Sequence, residues 1–263
     1  HRHPAGSGIL ANGAERLMTS PRLPPGIQVR DLSLRFGQQI VFDRLSFDIA
    51  GGSFVALLGA SGAGKTSLLK IIAGLERATS GTVTGSDGLP IAGRIAYMGQ
   101  KDLLYPWLTV EENVALGARL RGETPDRAWA AHLLERVGLA AHGRSLPAAL
   151  SGGMRQRAAI ARTLYERQPI VLMDEPFSAL DAITRAEIQS LAAELLAQNT
   201  VLLITHDPME ACRLSHRLLV LSPWPLGLDD SHRISGQPPR APDDAGLLKS
   251  QAELLQQLVR AAQ

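Results

Sequence analysis

The run Gly59-Ala60-Ser61-Gly62-Ala63-Gly64-Lys65-Thr66 constrains this chain more than any other, because it fits the pattern G-x-x-x-x-G-K-[ST]. Phe54-Val55-Ala56-Leu57-Leu58 precedes it, a short apolar run bounded by glycine, as expected of a strand buried on both faces. Behind it, Leu68, Leu69, Ile71, Ile72 and Leu75 supply the apolar positions of a helix that Gly74 loosens or ends. Glycines let a backbone wrap closely around an anion and turn several N–H groups toward it. A helix starting near Lys65 adds its positive dipole end. In such a loop Lys65 reaches the β- and γ-phosphates and the Thr66 hydroxyl binds Mg²⁺, with Ser67 assigned to the same site. The plain alternative is a glycine-rich turn that binds nothing. A pattern flanked by the right strand and the right helix argues for a nucleoside triphosphate.

The chain has 263 residues, enough for one large α/β domain or two small ones. A net charge of +2, with no dense Lys/Arg stripe, gives no argument for nucleic acid or an anionic membrane as partner. The single cysteine, Cys212, excludes an internal disulfide framework and any multi-cysteine metal site, and points to a reducing compartment. No apolar run approaches the length needed to cross a bilayer, and no signal core stands at the start. The expectation is a soluble chain that other subunits would have to hold at a membrane.

Residues 1–26 are rich in Gly, Pro, Ser and Ala without periodicity and read as a disordered extension. Met18 is a candidate start, which would make residues 1–17 an added leader or an upstream extension. From Ile27 the pattern becomes strand-like: Ile27, Val29, Leu32, Leu34 and Phe36, then residues 41–49, form an antiparallel layer in front of the core. Residues 82–84 and 94–98 add short strands. Between about 103 and 164 strand signals give way to helical ones: a capping box at Thr109 and Glu112, a run from Pro125 to Gly138, and a helix over residues 154–166. Strands return at residues 170–173 and 201–204 around a helix in which Ile188, Leu191 and Leu195 share a face. Residues 218–221 read as the last strand, 223–242 as loop, and 247–259 as a final helix. The expected fold class is α/β: a P-loop NTPase core with a mainly parallel sheet, an N-terminal antiparallel β-layer and an inserted helical subdomain. The expected division is a domain over residues 27–245 and a C-terminal helix over 246–263.

A phosphate loop needs a carboxylate at the end of a neighbouring strand to organise the metal. Ile170-Val171-Leu172-Met173-Asp174-Glu175-Pro176 supplies one in Asp174, and places Glu175 to orient or deprotonate the attacking water. Adjacent carboxylates at the mouth of a buried strand are costly unless a cation neutralises them. Leu150-Ser151-Gly152-Gly153-Met154-Arg155-Gln156-Arg157 offers a hydroxyl and exposed N–H groups at a helix start. That stretch is either a plain helix cap or a second anion-binding turn.

With these motifs in this order, the chain resembles the ATP-binding subunit of ABC transporters from about Ile27 to Leu221, and residues 150–157 look like that family's signature. The resemblance implies that Phe36 stacks on adenine, though a strand-end core phenylalanine is the alternative. It implies that Gln100 reaches the metal and γ-phosphate, that Asp181 in Ser178-Ala179-Leu180-Asp181 couples two sites across a dimer, and that His206 senses the γ-phosphate. It further implies a head-to-tail homodimer closed by ATP and Mg²⁺, each ATP lying between Lys65 of one subunit and Ser151, Gly152 and Gly153 of the other. Partners would be integral-membrane permease subunits and a periplasmic or lipoprotein solute-binding protein, on the cytoplasmic side of a bacterial inner membrane. The apolar run of residues 101–108 sits where a permease helix docks in this family.

Compact length and the stretch Leu103-Leu104-Tyr105-Pro106-Trp107-Leu108-Thr109-Val110 resemble importers of the nitrate, sulfonate and taurine group. Residues 102–107 and 116–122 lean toward its hydroxymethylpyrimidine branch. A soluble ABC ATPase of translation or DNA repair would show tandem units or coiled-coil insertions. A phosphate-loop kinase or GTPase would leave residues 150–157 and Gln100 unexplained. An exporter subunit would carry the same motifs.

Overall fold

The structure, a computed structural model, describes residues 23–223 and 226–261. The expectations for residues 1–22, Met18 included, fall outside the described residues. Residues 23–26 carry no regular structure but are not free of the core: Gly26 N donates to Ser86 Oγ at 2.8 Å and Thr200 Oγ1 donates to Pro25 O at 2.8 Å. Pro25 and Gly26, the last two residues of the stretch expected to be disordered, are thus hydrogen-bonded to the folded part.

Strands β1 (Ile27–Phe36) and β2 (Gln39–Ile49) form a hairpin, followed by β3 (Phe54–Gly59), helix α1 (Lys65–Ile72), β4 (Ser80–Gly85) and β5 (Ile95–Met98). The antiparallel layer has the order β2-β1-β4. Its apolar residues change parity along β1, from Ile27 and Val29 to Leu32 and Leu34, yet all four are buried. An irregularity between Val29 and Leu32, with Asp31 at φ 47, inserts the extra residue that makes this possible.

Four helices lie between β5 and the next strand: α2 (Val110–Val114), α3 (Leu116–Leu120), α4 (Arg127–Arg136) and α5 (Gly152–Tyr165). The Thr109–Glu112 capping box is present, but the helix it starts breaks at Ala115 into α2 and α3. Asp126 caps α4 by accepting from Trp129 N at 2.9 Å. The third helix begins two residues earlier than the periodicity predicts, because Gly152 and Gly153 form its first turn under the Ser151 cap. Val110, Val114, Leu133, Leu134 and Ala158 pack with Met173 and Leu203 in one apolar cluster, so these helices share a core with the sheet.

The chain closes with β6 (Ile170–Asp174), α6 (Ala182–Leu195), β7 (Thr200–Ile204), α7 (Pro208–Leu214), β8 (Arg217–Pro223), β9 (Leu226–Arg233) and α8 (Ala245–Ala261). The main sheet has the order β5-β6-β7-β3-β8-β9, parallel from β5 to β8 and antiparallel at β9. All five residues of β6 and of β7 are buried, which explains their unbroken apolar character. The reading of residues 223–242 as loop, with the last strand ending at Leu221, is corrected by β9. That strand pairs on one side only and contains Asp229-Asp230-Ser231-His232-Arg233, so no alternation announces it. Beyond it Arg240 is buried and donates to five carbonyls, those of Cys212, Ser215, Ile234, Ser235 and Gly236, pinning this segment to the end of α7. No helix among the described residues is long and apolar enough to cross a membrane.

Candidate nucleotide site

The turn after β3 runs directly into α1, with Gly64 as the residue before the helix at φ 88. A β-carbon there would stand 2.5 Å from Val41 Cγ1, so both the left-handed backbone and the close approach of β2 require glycine. Lys65 Nζ donates to the carbonyls of Gly59 and Ala60, both at 2.8 Å, which folds the cation over the loop. Burial lowers the pKa of this ammonium, while the charges of Glu175 and Asp174 oppose that shift.

Order in the sheet brings the other groups to the same edge. β7 pairs with β3 and β6 is the next strand beyond it, all three parallel, so Asp174 at the end of β6 and Thr205-His206 after β7 lie at the same sheet edge as the loop. Thr66 Oγ1 donates to Asp174 Oδ2 at 2.7 Å, and Asp174 is 2% exposed. Desolvation raises the Asp174 pKa above the usual carboxylate range, with the neighbouring Glu175 charge adding to it and the Thr66 bond and Lys65 pulling it back. Gln100 Nε2 donates to Glu175 Oε2 at 3.4 Å, and His206 Nδ1 lies 3.4 Å from Glu175 Oε1. Thr66 is thus bonded to Asp174, Gln100 and His206 flank the next residue, Glu175, and Lys65 lies within the influence of both carboxylates.

A hydroxyl, a carboxylate and an amide oxygen are hard donors of the kind Mg²⁺ takes. No three His, Cys, Asp or Glu among the described residues cluster as a self-sufficient metal site. The Thr66 hydroxyl, the Asp174 carboxylate and the Gln100 amide oxygen would hold such a cation together with phosphate oxygens.

Glu175 occupies the left-handed region at φ 49, a conformation costing a non-glycine residue about 1–3 kcal/mol. Its backbone is held from several sides. Glu175 N donates to Ile204 O at 2.9 Å, and its carbonyl accepts from Ser178 Oγ at 3.1 Å and from Gln156 Nε2 at 3.2 Å. Gln156 also donates to Pro176 O at 2.7 Å and is buried. Sequence reasoning quoted Gln156 inside the signature but gave it no role.

The remaining sequence-derived residues lie apart. Phe36 ends β1 and is 58% exposed, which removes the reading of it as a core phenylalanine. Ser151 caps α5, accepting from Met154 N at 3.2 Å, and no hydrogen bond joins it to Lys65, Thr66 or Glu175. Gly153 packs against the loop before α6, where a β-carbon would come within 3.3 Å of Ala179 O. Asp181 caps α6 by accepting from Thr184 N at 3.0 Å, a bond that holds its carboxyl below the usual range.

The apolar run beyond Gln100 presents Leu103, Tyr105 and Trp107 to solvent, with Tyr105 and Trp107 edge to face at 5.2 Å, while Leu104 turns into the core. Two devices unforeseen from sequence fix it. Buried Asn113 accepts from Tyr105 N at 2.7 Å and donates to the carbonyls of Tyr105, Leu108 and Thr109. From α5, Arg155 Nε meets Asp102 Oδ2 at 3.1 Å, and Arg162 donates to the carbonyls of Asp102 and Leu103.

A protein-family model described as ABC transporter matches residues 42–178. An uncharacterised ABC transporter ATP-binding protein of Haemophilus influenzae is 44% identical over 88% of this chain and 98% of its own length. An aliphatic sulfonates import ATP-binding protein of Xanthomonas axonopodis is 42% identical over 90% of this chain and 81% of its own. Among solved structures, the dimeric post-hydrolysis state of an ATP-binding cassette bound to ADP and Pi superposes with a TM-score of 0.70. That match has 29% identity and covers 80% of this chain and 99% of the other.

Proposed function

The chain belongs to the ABC transporter ATP-binding family, and from that premise we propose that it is the ATP-hydrolysing subunit of a bacterial importer, acting as a homodimer on separate permease subunits. The joining of Thr66, Asp174, Glu175, Gln100 and His206 at one sheet edge carries this reading. The dimeric solved cassette supports a dimer, in which we take the two chains to face head to tail. Ser151, Gly152 and Gly153, apart from Lys65 within one chain, then serve the partner's nucleotide.

In this reading Phe36, exposed at the end of β1, stacks on adenine, and the loop from Gly59 to Ser67 holds the phosphates with Lys65. Thr66, Gln100 and Asp174 hold Mg²⁺, which when bound neutralises phosphate charge during transfer. Glu175 takes the proton of the attacking water, oriented by Gln100 and His206 at 3.4 Å on either side of its carboxylate. Asp181 carries the state of one site to the other. The helices of residues 103–164 act as the helical subdomain within a domain spanning 27–245, with residues 246–263 as its C-terminal helix.

Leu103, Tyr105 and Trp107 form the permease-docking surface. Arg155 and Arg162 tie it to the helix that Ser151 caps, so movement at the docking surface and at Ser151 is shared. The permeases would hold the chain at the cytoplasmic face of the inner membrane, and a solute-binding protein would deliver cargo outside it. The Xanthomonas relative supports an aliphatic sulfonate as the transported class, ahead of nitrate, taurine or a hydroxymethylpyrimidine. The test is Mg²⁺-dependent ATPase activity of the chain with its permeases, stimulated by the cognate binding protein loaded with sulfonate. Glu175→Gln lowers turnover by roughly 10²–10⁴-fold while ATP affinity stays within about twofold. Wild-type turnover in that variant would remove Glu175 as the base.

A further inference from the structure

Behind Glu175 and His206 lies a cavity of about 50 Å³ whose walls include Arg185, Thr205, Asp207 and Glu210. Glu210 is 5% exposed, and no step above uses it. Its Oε2 accepts from Gln189 Nε2 at 2.9 Å, and the Thr205 hydroxyl is its other side-chain partner. The orientation of Gln189 follows from chemistry. Arg213 Nη1 lies 2.6 Å from Gln189 Oε1, and a guanidinium only donates, so the amide oxygen faces Arg213 and the amide nitrogen faces Glu210. Thr205 Oγ1 accepts from Asp207 N at 3.0 Å, and Thr205 lines the same cavity as Glu210 and pulls its pKa down. Glu210 is therefore bonded to α6 through Gln189 and lies against the residue immediately before His206.

α6 is the helix that Asp181 caps, and Arg185 within it donates to Leu180 O at 2.8 Å. Arg213 grips the same helix through Ser190 Oγ and Ala186 O. We infer that Glu210 is a positioning residue, joining the His206 turn to the helix begun by Asp181 and keeping His206 in register with Glu175. Ionised, the carboxylate accepts from Gln189 with the added strength of a charged acceptor and attracts the Thr205 hydroxyl; protonated, it loses that charge. Burial, with repulsion from Asp207, pushes the carboxyl up to about 7 against the pull of Thr205, Gln189 and Arg185. The other charged or titratable groups around it are Glu175 and His206 across the cavity and Arg213 beyond Gln189. The register is tightest above that pH.

The inference rests on the ATPase reading, and the experiment separates the two. ATP turnover of the full chain is measured from pH 6 to 8 for wild type, Glu210→Gln and Thr205→Val, with Glu175→Gln as the inactive control. The wild-type-to-Glu210→Gln ratio of kcat rises from about 1 at pH 6 to about 5 at pH 8, while KM for ATP stays within about twofold. Thr205→Val lowers kcat at pH 8 to a similar extent, and the double variant is no worse than either single one, because both break one link. A ratio that is flat with pH, a loss carried by KM, or additive single effects overturns the positioning role. Should Glu210→Gln not fold, Thr205→Val decides by its kcat and KM alone. Wild type no faster than Glu175→Gln would instead defeat the ATPase reading itself.

Discussion

Glu175, the proposed base, shows how much of a side chain's placement lies in its neighbours. Its left-handed backbone persists because Ile204, Ser178 and Gln156 take up its N–H and carbonyl. Replacing Gln156 with Leu leaves the buried Pro176 carbonyl without that donor and the Glu175 carbonyl with Ser178 alone, at a cost of about 1–3 kcal/mol. We expect a matching fall in the urea midpoint, and a fall in kcat larger than any change in KM. An unchanged kcat would mean that the Glu175 backbone does not need this support. The phosphate loop, Asp174 and Glu175 were legible in the sequence because each motif is contiguous and follows a buried strand. Gln156 was not, since its partners lie 19 and 20 residues away and only the packing of α5 on the end of β6 brings them together. Phe36 was undecidable from sequence, because strand-end aromatics face either way, and only its exposure separates the readings.

Among the elements, α5 links two surfaces. Its first residues follow Ser151, while Arg155 pairs with the Asp102 carboxylate and Arg162 donates to the carbonyls of Asp102 and Leu103, where the run exposing Leu103, Tyr105 and Trp107 begins. Arg155→Ala removes a half-exposed ion pair, so stability changes by no more than about 1 kcal/mol. Its effect belongs in coupling: we expect basal ATPase activity within about twofold of wild type but a loss of stimulation by permease and loaded binding protein. Retained stimulation would assign the arginines to stability alone. Strands and helices were largely legible from periodicity, including the antiparallel layer and the parallel core. The failures have physical causes. β9 hides its edge position behind a polar run, and the break at Ala115 falls on a residue that is neither glycine nor proline.

At the scale of the molecule, buried Glu210 makes stability depend on pH. Its folded-state pKa is raised from 4.5 to about 7. Its contribution is therefore complete below about 4.5 and is lost as pH rises through about 7, a change on the order of 3 kcal/mol. Relative to Glu210→Gln, wild type should lose stability between pH 5 and 7.5, measured as the difference between their urea midpoints; a constant difference would show that the carboxyl titrates normally. The central proposal concerns two molecules rather than one: within one chain no hydrogen bond joins Ser151 to Lys65, and we propose that the two meet across a dimer. The most direct measurement is the light-scattering mass of Glu175→Gln with and without Mg²⁺ and ATP, repeated with Ser151→Arg added. The composite site predicts that ATP doubles the mass of Glu175→Gln, and that Ser151→Arg leaves it monomeric while ATP still binds. A dimer that forms equally well with Ser151→Arg, or none with Glu175→Gln, would contradict it.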